Sequence, residues 1–464
     1  MDYQSFVNGD KTVLIAPAGY GKTYTIVECL KYTRGKQLIL THTHAGVASI
    51  KSKIQESKNR EINCNVETIS SFAQKYVNHF YYGVDVPLPE DANNYHSFML
   101  KKLFEILKSN IVQLIIQSSY SGLFVDEYQD CSKSQHQIIM LLSDIIPTHL
   151  LGDPLQGIFN FNDDLVDMTL DLIHFDKHSD LSVPQRWFNC KKYELGNALK
   201  DVRDLLQQNK AINLNHYSKS IQTYQINEAD KYQSGSNYYK QIKKLSGEDD
   251  ILIIDPVSNS INSRVKFIQL FKEYKLIESI DDKDFYNLAK KCDHFIDNSS
   301  DDNLFNILSI LFNKTGLKYW FNEHGFKKKK DSDEQNEIFK IRQLYADKIS
   351  LKKILIATKK LKEIKCYRIS LFNSLLKAID LANEKSTSIY DGMVEQRNIL
   401  RRSGRKISGK CIGTTLLTKG LEFNTVVILD AHKFMCPKNL YVAMTRCKNE
   451  LIIFTKHMVL EPYN

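Results

Sequence analysis

Residues 13–23, VLIAPAGYGKT, join a short run of β-forming apolar residues to two glycines, a lysine and a threonine, and a helix-forming stretch follows to Leu30. Few junctions restrict a fold more. Val13 to Ile15 reads as a buried strand, and a strand that passes through a glycine-rich turn into a helix opens an α/β unit with a parallel sheet. Gly19 and Gly21 let the backbone curl so that its N–H groups and the helix N-terminus face an anion. With that geometry Lys22 reaches the β- and γ-phosphates of a nucleotide and the Thr23 hydroxyl ligates Mg²⁺. The expected ATP-binding turn runs through Ala16, Pro17, Ala18, Gly19, Tyr20 and Gly21 to Lys22, Thr23 and Tyr24. Ala16 stands where the first glycine usually is.

A second stretch, LFVDEYQD (123–130), sets an apolar run directly against Asp126 and Glu127, with a third acid at Asp130. Unpaired buried carboxylates are costly, so such acids either lie exposed at a strand end or hold a cation. Taken with the upstream phosphate turn, Asp126 becomes the residue that holds Mg²⁺, directly or through water. Glu127 becomes the base that orients and deprotonates an attacking water. The bland alternative is a pair of solvated acids at a strand end.

At 464 residues the chain is too long for one core, so two or more domains are expected. The formal net charge of +9 is spread along the chain and fits a groove for a polyanion, as it also fits many proteins without one. Nine cysteines without a CxxC argue against zinc, iron–sulfur and disulfide frameworks. The start, MDYQSFVNGDKT, lacks a basic-then-apolar leader, and no apolar run approaches the ~18 residues that span a membrane. A reducing cytoplasm is the expected compartment.

Joined in order, these boxes and others resemble the UvrD/Rep-like group of superfamily 1 helicases. LTHTHAGVASI (40–50) is similar to a family segment whose backbone and hydroxyl groups meet the DNA backbone, implicating Thr41 and Thr43. TISSF (68–72) resembles a short DNA-contacting box, implicating Ser71 and Phe72, with Ser70 in place of the usual His. In LLGDPLQGIFNF (150–161) the resemblance makes Gln156 a γ-phosphate sensor and sets Phe159 and Phe161 where the family stacks bases; Asn162 replaces a basic residue. LSVPQRW (181–187) supplies Arg186 as a first arginine finger, and NLYVAMTRCKNEL (439–451) supplies Arg446 as a second. TTLLTKGLEF (414–423) contributes Thr414 to the DNA track and Gly420 and Glu422 to the nucleotide, with Leu416 in place of His. Gln4 is assigned to the adenine by analogy. Small helicases of this kind also resemble the helicase component of Gabija-type anti-phage systems, which act with a partner nuclease.

The resemblance implies two RecA-like P-loop motor domains with parallel sheets, a short insertion in the first and a helical insertion in the second. The expected boundaries are 1–75 with 118–185 for the first motor domain and 76–117 for its insertion, which includes a helix around 97–117. The second motor domain is expected over 186–261 with 406–464. Between them, over 262–405, apolar residues recur at helical spacing, as in SRVKFIQLFKEYKLI and LKKILIATKKLKEI. The lysine-rich 327–337 reads as a solvated loop, and RNILRRSGRKISGK (397–410) as a phosphate contact. Two functions follow. One is an ATP- and Mg²⁺-dependent motor on single-stranded DNA and single–double-strand junctions, moving 3′ to 5′. The other is a DNA- and nucleotide-responsive regulatory subunit of a separate nuclease.

Overall fold

The computed structural model describes residues 1–57, 62–89, 91–159, 164–178, 181–227, 233–256, 261–277, 282–298, 300–322, 325–326, 336, 338, 347–403 and 408–463. They form two compact units. One comprises Met1–Tyr82, Met99–Ile277 and Ser403–Asn464, the other Gly83–Phe98 and Glu278–Arg402.

The larger unit holds two six-stranded sheets. The first contains β1 (Lys11–Ile15), β2 (Gln37–Thr41), β3 (Cys64–Thr68), β4 (Gly122–Val125), β5 (Thr148–Gly152) and β6 (Asp176–His178), in the order β3-β2-β4-β5-β1-β6. Every pairing is parallel. All residues of β2, β4 and β5 are buried, the pattern of strands covered on both faces. Phe6, Leu14, Ile26, Ile39, Phe124 and Leu151 lie in one of the cores packed on this sheet. Helix α1 (Tyr3–Asn8) precedes β1, and α2 (Lys22–Cys29), α3 (His44–Glu56) and α4 (Ile69–Phe80) follow β1, β2 and β3 in turn. Thr43 and Thr68 cap α3 and α4, their hydroxyls accepting from Gly46 N and Ser71 N. Because β5 sits between β1 and β4, the carboxyl ends of all three open on one edge, where ligands of open α/β sheets bind.

The chain then forms β7 (Ile212–Asn213), β8 (Gln222–Gln225), β9 (Ile251–Ile254) and β10 (Lys275–Leu276). After the hairpin strands β11 (Phe321–Asn322) and β12 (Gly325–Phe326) come β13 (Lys410–Gly413), β14 (Phe423–Ile428), β15 (Cys447–Thr455) and β16 (Val459–Leu460). The second sheet is ordered β10-β13-β9-β14-β15-β8, again parallel throughout, while β16 and β7 pair antiparallel beside it. Two parallel six-stranded sheets, each fed through helices, make the fold α/β of the two-RecA-domain type.

Three sequence expectations change. Residues 262–277, expected in the helical insertion, supply the helix Asn262–Leu270 and β10, which pairs with β13 at the edge of the second sheet. A two-residue strand carries too little periodicity to be read from sequence. The single helix expected over 97–117 is two, Ala92–Ile106 and Asn110–Ser119, separated where Lys108 N and Ser109 N bond three residues back. The segment 76–117 is also divided, since Gly83–Phe98 belongs to the smaller unit and the rest to the larger.

The smaller unit is helical, built on Asp282–Asp297, Asp301–Leu311, Lys314–Trp320, Lys348–Lys360, Ile369–Glu384 and Ile389–Ser403. Leu288, Leu308, Leu355, Leu375 and Ile379 lie in its own core. The Asp293 carboxylate accepts from Ile389 N at 2.7 Å and Tyr390 N at 2.9 Å, satisfying donors at the start of the last of these helices. Among the described residues no helix is long and apolar enough to cross a membrane.

Candidate active site

The turn after β1 is built as a phosphate cradle. Gly19 and Gly21 have φ of 75° and 95°, the left-handed region that glycine enters without strain. A Cβ on Gly19 would lie 2.6 Å from the Trp187 ring, so the turn also needs glycine for close approach. Ala18 N donates to the Tyr441 hydroxyl at 3.1 Å and Arg186 N donates to Gly19 O at 2.9 Å, which docks the cradle onto helices of the second sheet. The Lys22 ammonium donates to Ala16 O at 2.8 Å and Pro17 O at 3.1 Å. Tyr20, within the turn, is buried, and Tyr24 stands exposed on the first turn of α2.

Thr23 Oγ1 donates to Asp126 Oδ2 at 3.2 Å, and Glu127 N donates to Asp126 Oδ1 at 3.0 Å. A hydroxyl and a carboxylate this close form a hard-oxygen pair that fits Mg²⁺, whose remaining positions are usually taken by phosphates and water. Burial, together with the Glu127 charge, pushes Asp126 up to about 6. For Glu127 burial acts in the same direction, but Lys22, Lys419, the Gln129 amide and Arg446 outweigh it and hold the carboxyl below its ordinary value. Its φ of 57° turns it sharply out of β4, a strained conformation for a non-glycine residue. An ionised carboxylate so placed suits orienting a water and accepting its proton.

A chain of hydrogen bonds runs from Glu127 to the far wall. Gln129 Nε2 donates to Glu127 Oε2 at 2.5 Å, and Gln129 Oε1 accepts from Asp153 N at 2.8 Å. Asp153 then accepts from Gln156 Nε2 at 3.0 Å and from Arg203 Nη2 at 2.7 Å. Gln156 Oε1 accepts from Arg446 Nη2 at 3.1 Å. Arg446 is fixed by its Nε donating to Val442 O at 2.9 Å; burial and the nearby Arg186 lower its pKa to about 10. Arg186 donates to Glu422 Oε1 at 2.7 Å and to Thr445 O; this guanidinium pulls Glu422 down to about 2.

Lys22, Thr23, Asp126, Glu127, Gln156, Arg186, Gly420, Glu422 and Arg446 thus line one cavity of ≈ 740 Å³. Its lining carries cations from both sheets around a pair of acids, the arrangement that neutralises charge developing on a transferred phosphoryl group. Thr23 and Asp126 would hold Mg²⁺, which would supply further positive charge to the site.

The cavity also contains residues to which sequence assigned no role. Lys419 donates to both carboxylate oxygens of Asp130 and to Gln156 O. Burial pushes Asp130 up to about 7 and Lys419 below its ordinary value, while the attraction of each for the other opposes both shifts. His42 lines the wall beside Cys131, its Nε2 at 3.2 Å from the thiol; burial and then Lys419 push it down to about 3, leaving the imidazole neutral. Lys419 and Asp130 lie inside boxes quoted for other residues, whereas nothing in the spacing of Asp153 and Arg203 announces their pairing.

The expected DNA track is less uniform. Thr41 is fully buried at the end of β2 and lines the same cavity. Thr43 also lines it, while capping α3. The Ser71 hydroxyl accepts from Thr68 Oγ1 at 2.8 Å. Phe72 is corrected: it is 0 % exposed, its ring 4.6 Å from that of Tyr76 in the core under α4, and no base can stack on it there. Phe159 is half-buried with the Lys419 ammonium 4.8 Å above its ring. Phe161 and Asn162 lie outside the described residues, as do the lysine run 327–330 and residues 404–407. Thr414 is buried, its hydroxyl accepting from Leu417 N at 3.4 Å. Gln4 is exposed on α1 and absent from the lining; Tyr3, one turn before the anchoring Phe6, lines the cavity instead.

Residues 90–175 match the family model of the UvrD/REP helicase N-terminal domain. Gabija protein GajB of Bacillus cereus (strain VD045) is 37% identical over 71 residues, which is 15% of this chain and 14% of that protein. Among solved structures, a Pif1 helicase from Bacteroides in complex with ADP-AlF3 and single-stranded DNA aligns with a TM-score of 0.38 at 12% identity, covering 98% of this chain and 91% of that one. The Arterivirus nonstructural protein 10 helicase aligns with a TM-score of 0.36 at 11% identity, covering 97% of this chain and 61% of that one.

Proposed function

We propose that this chain is a UvrD-like helicase that hydrolyses ATP with Mg²⁺ to move along single-stranded DNA, 3′ to 5′, and to open duplex at junctions; the match of residues 90–175 to the UvrD/REP helicase N-terminal domain supports this reading. The observation that carries the reading is the cavity itself, where a phosphate cradle, two acids and two arginines from separate sheets converge. Because Lys22 belongs to the first sheet and Arg446 to the second, hydrolysis would depend on how the two sheets close on the nucleotide. That dependence is what converts turnover into movement.

Forked duplexes with a 3′ or a 5′ single-stranded tail test this, with ATP and Mg²⁺ supplied. Displacement from the 3′-tailed fork, together with ATP hydrolysis that rises on adding single strands, is the expected result. No displacement from either fork and no response to any single strand would remove the motor reading. A second reading is a DNA- and nucleotide-responsive ATPase subunit that acts with a separate nuclease in anti-phage defence. The similarity to Gabija protein GajB favours it. Under that reading hydrolysis responds to DNA while the chain alone displaces no strand from either fork.

A further inference from the structure

We propose that Lys419 couples strand occupancy to nucleotide occupancy, as a positioning residue whose ammonium holds the Asp130 carboxylate, the Gln156 carbonyl and the Phe159 ring together. The inference rests on the motor reading above, since it assumes that both ligands bind.

Lys419 belongs to the second sheet's half of the larger unit, in the turn between residues 416–418 and Gly420, whose φ is 78°. All three of its partners come from the first sheet's half. Asp130 closes the short turn that begins at the strained Glu127, with Asp130 N donating to Glu127 O at 3.0 Å, so a shift of Asp130 is carried to the acid facing the water. The side chain of Gln156 accepts from Arg446, so a shift of its backbone moves a partner of the second arginine. Phe159 is three residues further on, and its half-exposed ring is the described aromatic of that segment on which a base is expected to stack.

The ammonium is well matched to this duty. Its three N–H donors meet three oxygens, and the face of the Phe159 ring takes the cation at 4.8 Å. Lys419 and Asp130 side chains are 3% and 1% exposed, so neither charge has water to fall back on. A base laid on Phe159 changes what that ring offers the ammonium. The ammonium then redistributes between ring, Asp130 and Gln156 rather than leaving the site, because leaving would strand a buried carboxylate. Strand binding is thereby felt at Glu127 and Arg446, and by linkage the nucleotide is felt at Phe159 to the same degree.

The test measures both directions of that linkage. The dissociation constant of adenylyl imidodiphosphate is determined with and without saturating oligothymidylate, and that of labelled oligothymidylate with and without the analogue. Wild type is compared with Lys419→Arg, Lys419→Met and the double variant Lys419→Met/Asp130→Asn, each checked by thermal melting. Wild type should give one ratio in both directions, about fivefold or more. Lys419→Arg should keep part of it, because the positive charge remains, and Lys419→Met should bring it to roughly one. The double variant leaves no unpaired buried charge, so it reports the same loss even where the single variant does not fold. A wild-type ratio persisting in Lys419→Met, or in the double variant if the single does not fold, overturns the proposal. A wild type that binds both ligands with no mutual effect overturns it too, while one that binds neither removes the motor reading along with it.

Discussion

The Lys22 ammonium, bonded to two carbonyls of its own loop, sits where a phosphate oxygen would be the stronger acceptor. Removing it takes away transition-state charge that no neighbour can replace, so Lys22→Ala should abolish ATP hydrolysis. Glu127→Gln should also stop turnover, yet leave ATP bound, because Thr23 and Asp126 keep their oxygens. Filter binding of labelled ATP beside phosphate release checks both, and near-wild-type hydrolysis in either variant sinks the catalytic assignment. Arg446 differs, since it reaches the site through Gln156 from the second sheet. A finger acts on charge that develops in the transition state. Arg446→Ala should therefore lose on the order of 10³-fold in kcat while ATP affinity stays within about tenfold, or ~1.4 kcal/mol. Collapsed affinity with intact kcat would make Arg446 a ground-state ligand instead.

At the level of elements, β5 carries a buried base that sets a pH limit on the first sheet. His149 is 2% exposed between the rings of Phe6 and Phe124, with Nδ1 2.8 Å from Thr12 Oγ1. Burial, and then the nearby His178, push it down to about 4. An unfolded histidine titrates near ~6.5, so between these values the unfolded chain binds more protons, and stability rises with pH. The neutral imidazole contributes fully above about pH 6.5, and that contribution, on the order of 3 kcal/mol, is lost as pH falls through about 4. His149→Gln keeps a partner for Thr12 and cannot titrate, so its stability relative to wild type should improve steadily from pH 7 to 4. Urea midpoints across that range check it, and a constant difference would reject it. The same sheets show what a sequence can and cannot disclose. The cradle and the acids at 126 and 127 are legible because each is a local run in which residue type and spacing already state the chemistry. Lys419 on Asp130 and Arg203 on Asp153 join residues 289 and 50 positions apart, and no local pattern encodes such a meeting. Phe72 misleads for the opposite reason: its box matched, but an aromatic at helical spacing is also what a core wants, and here the core holds it.

Over the whole molecule the formal charge is +9, yet it is not concentrated in any quoted DNA box, where Ser70, Asn162 and Leu416 replace side chains that would grip a strand. Binding to single-stranded DNA should accordingly be modest and governed by a few phosphate contacts. With about four phosphates neutralised at a slope near −0.7 each, log K should fall against log[salt] with a slope of roughly −3. Two phenylalanines separate the track from the core. Phe159 is half-buried, so Phe159→Ala should weaken oligothymidylate binding by ~1–3 kcal/mol and leave the salt slope unchanged, because a stacked base releases no counterion. Phe72 is enclosed, so Phe72→Ala should instead cost ~3–5 kcal/mol of fold stability. Titrations of labelled oligothymidylate at several salt concentrations, run beside thermal melts of the three proteins, read both quantities. A Phe159→Ala protein that binds like wild type would end the stacking assignment. A steeper slope, near −7, would instead mean that about ten phosphates are engaged and that lysines and arginines beyond the quoted boxes carry the strand.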